Sequence, residues 1–383
     1  MTTAKLRIAL FSGNYNITTD GANRALNRLV EYLLRQGHQV RVYSPTVDEP
    51  AFAPQGELVS VPSFAIPGRA EYRFPMGLNA EVREDLGKFA PDVVHVSSPD
   101  LSARAAVRWA REHGVPVLAS VHTRFETYPR YYKLGFLEGP LEAWLREFYQ
   151  RCDALVTPSP SMIDTLRAQD MNDDISLWSR GVDREVFNPS RRDGDWRRAL
   201  GIAEGDVAVG FLGRLVMEKG LDVFSDTIAV LRNRGVAHRV LVVGDGPARE
   251  WFAERLPGAC FVGFQNGSDL GRAVASMDVL FNPSVTETFG NVTLEAMACG
   301  VPVVAAKATG SQSLVADGVN GALAAPGDTE AFADALERYC ADPAMRRAHG
   351  DAGAAKARAF EWDAINQAVA DAYARLVARK SAP

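Results

Sequence analysis

The fold of this chain is decided at Pro283-Ser284-Val285-Thr286-Glu287-Thr288-Phe289-Gly290-Asn291-Val292-Thr293-Leu294-Glu295-Ala296-Met297-Ala298-Cys299-Gly300-Val301-Pro302. The apolar run Val279–Phe281 just before it reads as a strand. A loop with Glu287 and Gly290 follows, and a helix starts near Asn291. Gly300 ends that helix, as glycine commonly does, and Pro302 opens the next strand. A strand that runs through a glycine loop into a helix is the junction at which an open parallel α/β sheet binds its ligand. Unpaired N–H groups from about Gly290 to Thr293, together with the helix dipole, suit a phosphate. Gly290 has no side chain to hold a ligand away from the backbone. Glu287 lies before the helix start and Glu295 one turn inside it, so the two carboxylates reach different parts of one ligand. Carboxylates of this kind accept hydrogen bonds from sugar hydroxyls. A Glu-x7-Glu spacing by itself fits a solvated helix face equally well; its place between strand, glycine and helix favours function.

Outward from this stretch the same rhythm repeats. Leu6–Ser12 reads as a strand and Ala22–Arg35 as an amphipathic helix ended by Gly37. Strands follow at Gln39–Tyr43, Val93–Val96, Val115–Val121 and Ala154–Thr157. Arg180–Trp196, with Asn188-Pro189 and a run of charges, breaks the pattern and reads as a linker. The rhythm resumes with the strand Val207–Leu212, the helix Leu221–Asn233 and the strands Val240–Val243, Val279–Phe281 and Val301–Ala305. Phe360–Ala378 reads as a final helix. Alternating strands and helices imply an α/β protein with parallel sheets covered on both faces. At roughly 150 residues per domain, 383 residues imply two domains.

Composition narrows the function. With 47% hydrophobic and 23% charged residues the chain is neither disordered nor fibrous. A net charge of −5 argues against a basic nucleic-acid-binding surface. Cys152, Cys260, Cys299 and Cys340 form no zinc-type spacing, and a reduced, cytoplasmic protein is expected. No apolar run reaches 18 residues, and the first apolar segment is too short for a signal peptide.

The second informative stretch is Gly213-Arg214-Leu215-Val216-Met217-Glu218-Lys219-Gly220, between a strand and a helix. Arg214 and Lys219 sit where a doubly wound domain holds a diphosphate. Arg binds phosphate oxygens as a fork and Lys as a point charge. Standing alone, the two residues read equally well as solvated loop cations.

Together these stretches resemble the retaining glycosyltransferases of the GT-B fold, family 4. The likeness runs through Gly213-Arg214, Lys219-Gly220, Gly244-Asp245-Gly246-Pro247, Gly263-Phe264, Pro283-Ser284, Glu287 and Glu295, and Gly300-Val301-Pro302-Val303-Val304. Earlier in the chain it includes Gly37-His38, Ser120-Val121-His122-Thr123 and Arg180-Gly181-Val182-Asp183. Within the family the chain is most similar to lipid-modifying members, GDP-mannose-dependent mannosyltransferases and sulfoquinovosyltransferases. The resemblance implies two doubly wound Rossmann-like domains facing across a cleft. Residues 1–185, joined by the C-terminal helix 360–383, would form the acceptor-side domain, and 186–359 the nucleotide-sugar domain. It implies transfer of a hexose-type sugar from a GDP- or UDP-sugar to a hydroxyl, with no metal and no further cofactor. Arg214 and Lys219 would hold the diphosphate and Glu295 the ribose. Glu287 and the backbone of Phe289-Gly290-Asn291, with Val292 behind it, would hold the sugar. Gly213 would line the donor site and Gly263-Phe264 the base. Gly21 would let the first helix approach the phosphate, and His122 would touch the sugar. Asp20-Gly21 stands where many relatives have Gly-Gly, so the role of Asp20 is open.

Two other readings share the architecture: a sugar-nucleotide epimerase and a non-catalytic nucleotide-sugar binder. A dinucleotide oxidoreductase does not fit, because Phe11-Ser12-Gly13-Asn14-Tyr15-Asn16 lacks the Gly-x-Gly-x-x-Gly fingerprint. Away from the motifs, His95 and His122 read as core residues and His38 as a surface residue. His122–Arg151 holds eight of the chain's 34 aromatics (18 Phe, 10 Tyr, 6 Trp). Trp144 and Phe148 are expected in the core. Tyr128, Arg130, Tyr131, Tyr132, Lys133 and Phe136 are expected to face an acceptor at a membrane surface, making the protein peripheral on the inner face of the cytoplasmic membrane. An acceptor that is a soluble sugar or a polysaccharide stays open.

Overall fold

The computed structural model describes residues 5–18, 21–66, 69–127 and 135–381. Asp20, Tyr128, Arg130, Tyr131, Tyr132 and Lys133 lie outside the described residues. The chain divides into two compact units, Met1–Arg180 with Trp362–Pro383, and Gly181–Glu361.

The first unit contains β1 (Arg7–Phe11), β2 (Gln39–Ser44), β3 (Glu57–Ser60), β4 (Ser63–Ile66), β5 (Arg69–Pro75), β6 (Val93–Val96), β7 (Val117–Ser120), β8 (Ala154–Thr157) and β9 (Ile175–Leu177). Seven of these form a sheet in the order β3-β2-β1-β6-β7-β8-β9, all neighbours parallel. β4 and β5 form a separate antiparallel hairpin. Side chains of β1 alternate between two cores, as the strand pleat requires. Ala9 and Phe11 join the cluster with Val94, Val96 and Phe148; Ile8 and Leu10 join the one with Leu29, Trp178 and Tyr373. The last helix, Trp362–Ser381, returns to this unit and packs on the first, Gly21–Arg35. Arg35 pairs with Asp363 at 2.6 Å, and Asn366 Nδ2 donates to the Arg28 carbonyl at 3.2 Å.

The second unit contains β10 (Ala208–Leu212), β11 (Arg239–Val243), β12 (Cys260–Phe261), β13 (Val279–Asn282), β14 (Val303–Ala306) and β15 (Gly321–Ala324). Their order is β12-β11-β10-β13-β14-β15, again parallel throughout. Arg180–Trp196, expected as a linker, is built into this unit from Gly181 onward. Val182 and Phe187 are buried in its core. Arg192 and Arg197 reach Asp278 at 2.7 and 2.9 Å. His38, expected on the surface, is buried: its Nδ1 accepts the Leu6 N–H at 3.1 Å. It closes the start of β1 against the turn that precedes β2.

Candidate functional site

In the second unit the strand order reverses between β10 and β13, the position where parallel α/β sheets open a crevice at their carboxyl ends. The loops that leave these two strands are 213–220 and 283–290. They carry Arg214, Lys219 and Glu287, and they lie against each other: a Cβ on Gly220 would come within 3.3 Å of Pro283. Thr286 Oγ1 donates to the Glu218 carbonyl at 3.3 Å. Lys219 Nζ donates to Glu287 Oε1 at 2.6 Å, and both side chains are only partly exposed. Arg214 is exposed, and its guanidinium pairs with no described residue.

The first of these loops is braced through the backbone. Gly213 N–H donates to the Val243 carbonyl, Leu215 N–H to Asp245 and Ala248 N–H to Leu215, at 3.1, 2.9 and 3.0 Å. This brace needs bare backbone at Gly244, where a Cβ would lie 1.9 Å from the Gly213 carbonyl oxygen at a φ of +136°. Gly244 N–H in turn donates to the Gly263 carbonyl at 2.9 Å, which places Gly263 and the exposed Phe264 beside the same edge.

The helix Asn291–Ala298 begins at Gly290, whose φ of +97° turns the chain; being a glycine, the N-cap residue brings no side chain to the first N–H groups. Its start is held by Asn282, whose Oδ1 accepts from Ser284 N–H and whose Nδ2 donates to Thr293 Oγ1 at 3.3 Å. Phe289 is buried and meets Phe360 edge-on at 5.9 Å, so only its backbone faces the loop. Val292 packs on the same core, and Glu295 is partly exposed. Gly310 had no role in the sequence reading. Its N–H donates to the Glu287 carbonyl at 2.9 Å, and a Cβ there would stand 2.7 Å from Phe289 backbone. Its only trace in the sequence is a glycine near a helix start.

Comparison with known proteins places the chain as a whole in a family. Residues 19–186 match the model of Glycosyltransferase Family 4, and 206–342 that of Glycosyl transferases group 1. A GDP-mannose-dependent alpha-mannosyltransferase of Mycolicibacterium smegmatis is 33% identical over 98% of this chain and 99% of its own length. The chain belongs to glycosyltransferase family 4. The sulfoquinovosyl transferase of Arabidopsis thaliana is 30% identical over 94% of this chain and 71% of its own. The sucrose-phosphate synthase of Thermosynechococcus elongatus shares the fold, with a TM-score of 0.80 at 22% identity over 98% and 100% of the two chains. This family-4 enzyme is therefore a retaining hexosyltransferase of the GT-B fold that draws its sugar from a nucleotide-sugar donor.

In the first unit of the family-4 enzyme the strand order reverses between β1 and β6. The loop after β1 is held by side-chain amides. Asn16 Nδ2 donates to the Phe52 carbonyl and Asn27 Nδ2 to the Tyr15 carbonyl, both at 3.1 Å, while Asn27 Oδ1 accepts from Gln55 N–H. Gly21 opens the following helix. After β6, Ser98 donates to Asp100 and accepts from Gly13 N–H. Burial raises the Asp100 carboxyl above its usual range.

His122 follows β7. Arg180 Nη2 lies 2.7 Å from its Nδ1, and Ser120 Oγ lies 2.8 Å from its Nε2. Removal from water, then the charge of Arg180, then His95 push the imidazole well below its usual value of 6.5. His95 is fully buried against Tyr373 and is lowered to about 3. Phe136 is 74% exposed with Leu137 beside it, whereas Phe148 is buried and Trp144 packs against the same core. Among the described residues no cluster of three or more His, Cys, Asp or Glu is placed to hold a metal, and no helix is long and apolar enough to cross a membrane.

Proposed function

We propose that this enzyme transfers a hexose-type sugar from a GDP- or UDP-sugar to a hydroxyl of a membrane lipid or lipid-linked glycan. The observation that carries the donor reading is the pairing of an unpartnered cation, Arg214, with the Lys219–Glu287 contact at the strand-order reversal. Arg214, Lys219 and the helix start at Gly290 face the negative charge that builds on the leaving diphosphate. Glu287 gives one oxygen to Lys219 and keeps the other for a sugar hydroxyl. Glu295 takes the ribose, and Gly213, Gly263, Phe264, Asn291 and Val292 line the nucleotide and sugar. The acceptor proton passes to an oxygen of the departing phosphate on the same face, so configuration is retained.

The lipid acceptor is supported by Phe136 and Leu137, two large apolar side chains left in water on the short turn Gly135–Leu137, directly before an amphipathic helix. The name of the mycobacterial relative makes GDP-mannose the first donor to try. Nucleotide release from a panel of GDP- and UDP-sugars tests the reading. Release is expected with one sugar nucleotide and a lipid extract together. Equal release with a water-soluble sugar overturns the lipid acceptor, and release with no acceptor at all favours an epimerase-like reaction.

A further inference from the structure

We propose that Arg180 is a positioning residue that locks His122 as a neutral imidazole with its single proton on Nε2. The argument begins with what a guanidinium can do: it donates hydrogen bonds and accepts none. Arg180 Nη2 stands 2.7 Å from His122 Nδ1, so that nitrogen presents its lone pair. A proton on Nδ1 would point at another donor, which excludes both the imidazolium and the Nδ1–H tautomer. The remaining proton sits on Nε2, and it donates to Ser120 Oγ at 2.8 Å.

Arg180 is held for this task and for no visible ion pair. It is buried, and no carboxylate among the described residues pairs with it. Its Nη1 donates to the carbonyls of Trp178 and Ser179 at 2.9 and 3.0 Å, and the guanidinium lies over the Trp178 ring at 4.9 Å. The same ring meets His122 edge-on at 5.2 Å. A buried cation with no acid against it is costly to a fold. Burial lowers Arg180 only to about 10, so it stays charged at neutral pH. His95, whose field also reaches His122, is itself neutral.

The consequence rests on the reading that His122 contacts the donor sugar. Sugar transfer builds positive charge at the anomeric carbon. An ordinary histidine would be roughly one quarter protonated at pH 7, and an imidazolium there would oppose that charge. With Nδ1 engaged by Arg180 and Nε2 by Ser120, His122 meets substrate uncharged and takes no part in proton transfer.

The test is ¹⁵N NMR of the full-length protein labelled in its histidine rings, with His122→Gln used to assign the His122 signal among the six histidines. From pH 5.5 to 8.5 the wild type should show a neutral ring protonated on Nε2. Arg180→Lys keeps a donor-only group and should preserve that signature. Arg180→Gln can turn its carbonyl to the ring, so His122 should exchange tautomers and populate the Nδ1–H form, while burial still keeps the ring below the ordinary imidazole range. A wild-type His122 that titrates between pH 6 and 7, or carries its proton on Nδ1, overturns the proposal even if Arg180→Gln does not fold. So does an Arg180→Gln protein whose His122 stays neutral and Nε2-protonated throughout. The ring spectrum is read without substrate, so failure to find a donor would count against the function proposed above and leave this result standing.

Discussion

The two units place the loops at their strand-order reversals by the same rule and furnish them in opposite ways. Each is a parallel sheet whose strand order reverses once, between β1 and β6 in the first and between β10 and β13 in the second. At the second reversal stand an exposed Arg214 and the Lys219–Glu287 pair, on a loop braced by backbone hydrogen bonds around Gly244. At the first, the loop is braced by asparagine side chains. The histidine that follows the neighbouring strand β7 is held without charge. One architecture thus yields an exposed cation beside a Lys–Glu pair in one unit, and amide-braced loops beside a histidine held by Arg180 and Ser120 in the other.

The sharpest way to break this contrast is to remove the charge. Arg214→Ala and Lys219→Ala should each lower kcat by roughly a hundredfold, about 3 kcal/mol of transition-state stabilisation. Losses under threefold in both, in steady-state assays, would mean that the second unit's cations are ordinary surface charges.

Next comes the bracing. Gly244→Ala puts a Cβ against the Gly213 carbonyl at a positive φ and should cost on the order of 2–3 kcal/mol of stability. Asn27→Ala, which removes amide bonds in the first unit, should cost about 1–2 kcal/mol. Denaturant unfolding ranks the two; the reverse order would show that side chains, not backbone, carry the stiffer loop.

The neutral histidines make a smaller, pH-dependent mark. His95 and His122 bind protons in the unfolded chain near pH 6.5 but not in the folded unit. Their contribution is therefore present above that pH and lost as pH falls below it. Between pH 7.5 and 5.5 each should remove about 1.4 kcal/mol of unfolding free energy. A flat stability profile across this window, measured with denaturant, would show both rings to be ordinarily solvated.

The smallest effect concerns the surface. Phe136→Ser should weaken sedimentation with anionic vesicles about fivefold, near 1 kcal/mol. Unchanged binding would remove Phe136 from any membrane contact.

Much of this was legible beforehand because long, regular signals carry it. β6 and β8 lie where their short apolar runs put them, and the helix Leu221–Asn233 has the bounds that its spacing implied. Of the strands not anticipated, β3, β9, β12 and β15 are sheet edges of two to four residues, too short to show a period, and β4 and β5 form a hairpin apart from both sheets. The expected linker failed as a linker because its apolar residues are not free: Val182 and Phe187 are buried in the second unit's core, and Arg192 reaches Asp278, a partner 86 positions away.

Local chemistry written in order along the chain was enough to determine the parallel α/β class, the strand–glycine–helix junction at Gly290 and the family. Glycine, proline and β-branched runs act on their own neighbours, so they need no fold to be read. The tertiary structure alone decided that Lys219 meets Glu287, that Gly310 supports the Glu287 loop and that Arg180 faces His122. Each of these pairs joins residues that are distant in sequence. Which of the chain's 42 Lys and Arg residues meets which carboxylate or ring is settled only when strands from separate repeats lie side by side.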